Sequence, residues 1–139
     1  MKRDERGSAA IETAVIGPAV ILLIGLVILG GRVALAHQSV QSIAADTARA
    51  ASLERTTSRA RTAANTATEA GLRQQLPCST HDLHLDLTGF TVPAGTPATV
   101  SATITCRVAL SDLTVPGLPG DITIRATMTS PLDTYRERR

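Results

Sequence analysis

Aromatic residues are nearly missing from this chain of 139 residues, which has one Tyr, one Phe and no Trp. Proteins that bind single-stranded nucleic acid stack bases on aromatic side chains, and proteins that contact phosphates carry a strong basic excess. Here fourteen basic residues nearly balance twelve acidic ones, and the formal net charge is only +2. We therefore predict no nucleic-acid partner.

Residues that carry catalysis or bind metals are also scarce, since the chain has three His and two Cys. It contains no nucleophile elbow, no zinc-protease motif and no phosphate-binding loop. We predict no enzymatic activity, no cofactor, no metal site and no small-molecule substrate. The length allows one ordinary domain and little more.

Charge is absent from residues 14–31, an uninterrupted run of eighteen rich in Val, Ile and Leu. A helix of that length rises about 27 Å, close to the ~30 Å thickness of the hydrocarbon core of a bilayer. Helices buried in soluble domains usually keep a polar stripe, and this run has none. We predict a single-pass protein of the cell membrane with a transmembrane helix over residues 8–32 in contact with lipid. A core helix of a soluble domain is the alternative.

Basic residues on the two sides of this segment predict its orientation. Lys2, Arg3 and Arg6 precede it, whereas Arg32 and Arg49 follow it. Because positive charges near a span stay on the cytoplasmic side, three against two favours a cytoplasmic N-terminus. The leader, residues 1–7, would then be cytoplasmic and the bulk of the chain extracytoplasmic.

A secretory signal peptide gives a similar profile. The sequence Ala34, Leu35, Ala36 before His37 has the small residues of a signal-peptidase site. The apolar run is, however, longer than the usual signal core, and Arg32 stands between it and the cut. The alternative function is therefore a secreted binding or adhesion domain released after Ala36.

A carboxylate lies at the front edge of the span, where Glu12 follows Gly7 and Ser8. An acidic side chain at the bilayer centre costs about 2.5–3.5 kcal/mol, and less near the interface, so such a residue suggests a function. The simpler explanation is a favourable negative charge in the first turn of a helix. Both explanations fit the sequence.

The short charged leader, Gly7 and the Glu five residues later resemble the processing site of type IV prepilins. More narrowly, the string GSAAIETAVIGP, the helix after it, the Thr-rich strands and the closing residues 130–136 resemble the TadE-like family of tight-adherence pilus assembly proteins. Members of that family are pseudopilins or membrane accessories. The resemblance implies assembly of a type IV-like pilus as the function, with pilus assembly proteins and other pilin-like helices as partners.

The resemblance also implies a prepilin-type peptidase that cuts between Gly7 and Ser8. Glu12 would then neutralise the new α-amino group of Ser8 on a neighbouring subunit, which removes two costly charges and sets the stagger between helices. Pro18 inside the span predicts a local kink, because proline removes one helical hydrogen bond. An uncut, membrane-anchored domain in which Glu12 only caps the helix is a third hypothesis.

After the span, residues 33–76 are predicted to form an extracytoplasmic helical region and residues 77–139 a small antiparallel β region. Apolar residues recur every three or four positions as far as Ala50, a break is expected between Leu53 and Ser58, and a second helix should end before Pro77. Three alternating segments follow: Leu83 to Leu87, Val100 to Leu110, and Ile122 to Met128. The predicted fold is α+β, a long N-terminal transmembrane helix followed by a small antiparallel sheet packed on helix.

Two cysteines in a chain that looks exported suggest a disulfide between Cys78 and Cys106, which would tie the entry of the first strand to the central strand. Two buried thiols or a metal pair are the alternatives. The nearby residues His81, Asp82, His84 and Asp86 are predicted to form no catalytic or metal site. Asp82, His84 and Asp86 share one face of a strand, and that face is predicted to be the solvated one because three leucines occupy the opposite face.

Overall fold

Two helices form the first half of the structure. The computed structural model describes the backbone of residues 6–113 and 119–135, with side chains described from residue 14 onward. Helix α1 spans Arg6–Ser52, and helix α2 spans Thr57–Gln75. The turn between them ends at Thr56, whose hydroxyl accepts a hydrogen bond from the backbone N–H of Arg59 at 3.3 Å, as a helix N-cap does. The predicted break and second helix are confirmed.

Three antiparallel strands form the second half, in the order β1-β2-β3. Strand β1 is Thr80–Asp86, β2 is Thr99–Ala109 and β3 is Asp121–Pro131. A 3₁₀ turn, Thr88–Thr91, follows β1, and a one-turn helix α3, Leu110–Leu113, follows β2. The alternation of apolar and polar residues explains the sheet, because every second side chain of β2 is buried and the residues between them are largely polar.

The helices cover the apolar face of the sheet. Val40, Ile43 and Ala44 of α1 lie in one buried cluster with Leu72 of α2 and Ile104 of β2. These residues of α1 recur at three-residue and four-residue spacing, so one stripe of the helix faces the core. The predicted α+β architecture, a long apolar helix followed by a small antiparallel sheet that packs on it, is confirmed.

Helix α2 runs antiparallel to α1 at very short distance. A Cβ atom added at Gly71 would lie 2.9 Å from Cγ1 of Ile43. The hydroxyls of Thr47 and Thr68 are 2.9 Å apart and buried between the two helices. Small residues at this crossing let the backbones approach, and the hydroxyl pair satisfies the polar groups that the approach buries.

Two predicted strand ends are wrong. Leu87 lies beyond β1 because the Asp86 carboxylate accepts hydrogen bonds from the backbone N–H and the hydroxyl of Thr88, which turns the chain into the 3₁₀ segment. Leu110 begins α3 rather than ending β2, and its N–H donates to the carbonyl of Gly120 at 3.0 Å as the chain turns. Local hydrogen bonds override the apolar alternation at both positions.

Candidate assembly interface

Residues 14–31 of α1 form an apolar surface that no other part of the described chain covers. Val15 is 70% exposed and Leu22 is 69% exposed. Among the described residues, one helical segment, Ala14–Ser52, is long and apolar enough to cross a membrane, with a mean hydropathy of 2.6 over its most apolar window. No part of that window is buried, so the alternative of a core helix in a soluble domain fails. The segment fits a single-pass membrane protein.

The apolar surface passes directly into the folded domain, because α1 continues without interruption. Arg32 is exposed, Val33 packs against the core, and Ala36 is only 3% exposed. Those five positions occupy about 6 Å of helix. The structure therefore has no flexible linker between the candidate span and the domain.

The predicted processing and assembly residues lie in the first turns of α1. Gly7, Ser8 and Glu12 are helical in backbone, but their side chains lie outside the described residues. The cut after Gly7 and the charge pairing of Glu12 therefore stay predictions. Pro18 lies inside the helix, which continues past it, and the local kink also stays a prediction.

The alternative cleavage site lies in a different environment. Ala36 belongs to the same buried cluster as Val40 and Ile124, and Val33 packs against that cluster. A cut after Ala36 would remove Val33 and Ala36 from the chain, so the helix would begin at His37 without two residues that pack in the core. The folded domain thus uses residues that signal peptidase would have to discard or expose.

A disulfide joins Cys78 to Cys106, with Cα atoms 5.6 Å apart. Cys106 is fully buried in β2, and Cys78 lies two residues before β1. The predicted pairing is confirmed, and the alternatives of free thiols and a metal pair fail. The bond holds the first strand to the central strand at the end of the sheet where α2 enters.

The polar side chains of β1 form no cluster. His81, Asp82, His84 and Asp86 are all exposed. Within the described part of the chain, no group of three or more His, Cys, Asp or Glu residues could hold a metal ion. Hydrogen bonds from the backbone N–H and then the hydroxyl of Thr88 lower the pKa of Asp86, so this carboxylate shapes a turn. The interpretation of these residues as a solvated strand face agrees with their exposure.

The sequence does not predict which residues contact α1 from the rest of the domain. Ser52 at the end of α1 and Ser130 near the end of β3 have hydroxyls 2.9 Å apart. Nothing in the sequence pointed to Thr68 as the partner of Thr47. Spacing reveals which face of a helix is apolar, whereas partners across the domain depend on the packing.

The N-terminal part of the chain matches a protein family. Residues 7–49 match the family described as TadE-like protein, which is 43 of the 139 residues and nearly all of α1. No curated protein and no solved structure matches the chain. The match includes the uncovered apolar segment and most of the half of α1 that packs in the domain. It fits a protein associated with tight-adherence pili. The resemblance to the TadE-like family is thereby confirmed over residues 7–49.

Proposed function

We propose that this protein is a single-pass membrane pseudopilin or accessory protein that takes part in assembling a tight-adherence, type IV-like pilus. One observation carries the proposal: the TadE-like segment is a helix whose apolar half is uncovered by its own domain. An apolar helical surface of this length needs lipid or other helices around it. The proposed role is structural, through packing of helices, rather than catalytic.

Packing against neighbouring helices is supported by the small residues of the span. Cβ atoms added at Gly17, Gly25 or Gly30 would meet nothing within 4 Å in the described structure. Small residues in a membrane let another helix approach closely, which increases van der Waals contact where no hydrophobic driving force exists. The partners that we propose are pilin-like helices and pilus assembly proteins in the same membrane.

The proposed orientation has the N-terminus in the cytoplasm and the sheet outside. The disulfide between Cys78 and Cys106 supports it, because such bonds persist in oxidising compartments outside the cytoplasm. The basic residues of the leader favour the same orientation. Under the rival proposal, a secreted domain, the disulfide would also form, so it does not separate the two.

We further propose that a prepilin-type peptidase cuts between Gly7 and Ser8. The cut would leave a protonated amine on Ser8 at the start of the helix, four positions before Glu12. Pairing that amine with Glu12 of a neighbouring subunit would offset the cost of keeping either charge near the apolar phase. The pairing also favours one axial offset between subunits.

The mature N-terminus is the experiment that separates the hypotheses. Intact mass and N-terminal sequence would be measured on the protein recovered from its native membrane. A first residue of Ser8 supports the processed pseudopilin. A chain that begins at His37 refutes the proposed membrane role, and an intact leader keeps the anchor but removes the amine that Glu12 would neutralise.

A pair of matched substitutions tests the carboxylate itself. Glu12→Gln keeps the shape of the side chain and removes its charge, and Asp46→Asn does the same at an exposed position in the domain half of α1. We expect Glu12→Gln to reduce surface pili at an unchanged protein level, with Asp46→Asn equal to the parent. Equal piliation in both variants would leave Glu12 as a helix cap only.

A further inference from the structure

The direction of each element shows which end of the domain faces the membrane. Helix α1 leaves the apolar segment at Arg32 and ends at Ser52, whose hydroxyl is 2.9 Å from that of Ser130 near the end of β3. Strand β3 therefore runs in the same direction as α1, away from the span. Val33 near the start of this half-helix and Ile122 near the start of β3 pack against the same cluster, which agrees with that direction.

Distances along the two elements place the start of β3 level with Arg32. Along α1, the twenty residues from Ser52 back to Arg32 cover about 30 Å towards the apolar segment. Along β3, the nine residues from Ser130 back to Asp121 also cover about 30 Å in that direction. Because Ser52 and Ser130 are in contact at one end, and Val33 and Ile122 pack against the same cluster at the other, Asp121 lies near the height of Arg32, the residue that directly follows the apolar segment.

The described residues on either side of the turn from β2 to β3 lie beyond the last rung of the ladder, on the side of the apolar segment. Ala109 pairs with Asp121 at the last rung of the ladder, and Leu110 bonds to Gly120 one step beyond it. Helix α3 follows, and Leu113 at its end returns to the core cluster that contains Ala36. The described ends of this connection, residues 110–113 and 119–120, therefore lie at the end of the domain nearest the apolar segment, with Leu113 at about the level of Ala36.

We propose that this end of the domain rests in the lipid headgroup layer, as a second membrane contact beside α1. The inference rests on the proposed role of α1 as a membrane span. The occupant of the surface is lipid because the helix passes from the span into the core within about 6 Å, which leaves no spacer to lift the domain. The exposed residues Asp112, Gly120 and Asp121 at this end are polar or small, and Leu35 of α1, which is 62% exposed, adds an apolar side chain, a mixture that suits the headgroup layer.

Charge does not drive this contact. Asp112 and Asp121 offset Arg32 and Arg107, and Arg107 lies 3.5 Å from Asp121 as an ion pair. A surface of mixed sign gains little from anionic lipid, whose attraction depends on clustered basic residues. The continuous helix α1 holds the domain against the bilayer, so we expect the headgroup contact in zwitterionic and anionic bilayers alike.

The contact would restrict where partners bind. With one end of the domain against the bilayer, protein partners outside the membrane can reach the outer face of the sheet and the far end. That far end contains the 3₁₀ turn and the α1–α2 turn, where Leu53 is 62% exposed, together with Tyr135, which is 93% exposed. Partners inside the membrane reach only α1.

The lack of tryptophan provides a clean test with the full-length chain in lipid vesicles. Asp112→Trp places a single reporter at the membrane-facing end, and Pro119→Trp is a second variant at that end if the first fails to fold. Ala94→Trp is the control at the far end, where the neighbouring Gly95 N–H donates to the carbonyl of Thr134. Leu22→Trp reports on the span.

Quenching by lipids brominated near the headgroup or near the chain ends measures the depth of each reporter. We expect loss of fluorescence from Asp112→Trp or Pro119→Trp with headgroup-proximal bromines, none from Ala94→Trp, and loss from Leu22→Trp with chain-end bromines. If Asp112→Trp is as unquenched as Ala94→Trp while Leu22→Trp is still quenched, the headgroup contact is overturned and the span stands. An unquenched Leu22→Trp overturns the span and the contact together. A contact present only with anionic lipid overturns the argument from the continuous helix.

Discussion

Removing both hydroxyls of the Thr47–Thr68 pair should destabilise the domain by less than the sum of the two single removals. Thr47 is 0% exposed and Thr68 is 2% exposed, and their hydroxyls are 2.9 Å apart between α1 and α2. Thr→Val keeps the side-chain shape and replaces the hydroxyl with a methyl group. A buried polar group left without its partner costs about 1–3 kcal/mol, whereas two apolar groups of the same shape are nearly neutral.

The position of both threonines in helices reduces the loss of stability that we expect from each single substitution. A threonine hydroxyl in a helix can donate to the carbonyl four residues earlier, so the hydroxyl left behind in each single variant recovers part of its hydrogen bonding. We therefore expect Thr47→Val and Thr68→Val each to lower the free energy of unfolding by about 1–2 kcal/mol. The double variant should lose less than the sum of the two, with an interaction energy of about 1 kcal/mol or more.

The assay is urea unfolding of the full-length protein in detergent with the disulfide intact, followed by circular dichroism. Thr66→Val is the matched control, because Thr66 lies on the exposed face of α2 and its hydroxyl donates only to the carbonyl of Thr62. We expect the control to change stability by less than about 0.5 kcal/mol. If the double variant loses as much free energy of unfolding as the two single variants together, the two hydroxyls do not stabilise each other and the reasoning is refuted.

Three further changes test the packing, the disulfide and the turn after β1. Gly71→Ala should destabilise the domain by about 1 kcal/mol in the same assay although alanine favours helix, because overpacking against the buried Ile43 costs about 1–3 kcal/mol; a gain in stability would show that the helices separate freely. Replacing Cys78 and Cys106 together with Ala should cost about 3–4 kcal/mol from the chain entropy of a loop closed over 28 residues, and an unchanged unfolding midpoint would contradict that cost. The pKa of Asp86, followed by NMR, should lie below the ordinary aspartate value, so its stabilising effect is complete at neutral pH and is lost as the pH falls through that lowered pKa; an ordinary pKa would mean that the turn does not hold the carboxylate.

The local elements were predictable because their signals are local. An uncharged run of eighteen residues has the length of a bilayer, and the polar alternation of the later segments has the period of a half-buried strand. The break before α2 follows from Thr56, which caps the helix with its hydroxyl. The two errors, at Leu87 and Leu110, fall where the chain turns and where side-chain or backbone hydrogen bonds outweigh an apolar pattern.

The candidate site was predictable only as a list of residues. Gly7, Ser8 and Glu12 were singled out by their spacing before the span, and the family match covers them, but their roles stay predictions. Periodicity also indicated which stripe of α1 is apolar. It could not indicate that Leu72 of α2 and Ile104 of β2 pack with Val40 and Ile43 of that stripe.

The residues alone indicate an apolar segment as long as a bilayer is thick, the order of helices and strands, and the two cysteines that could pair, because each of these depends on neighbours along the chain. Only the tertiary structure decided that Thr47 faces Thr68, that Gly71 must be small, and that the start of β3 lies level with Arg32. Those features depend on distances between residues far apart in sequence, and such distances are set when the helices and the sheet pack around one core.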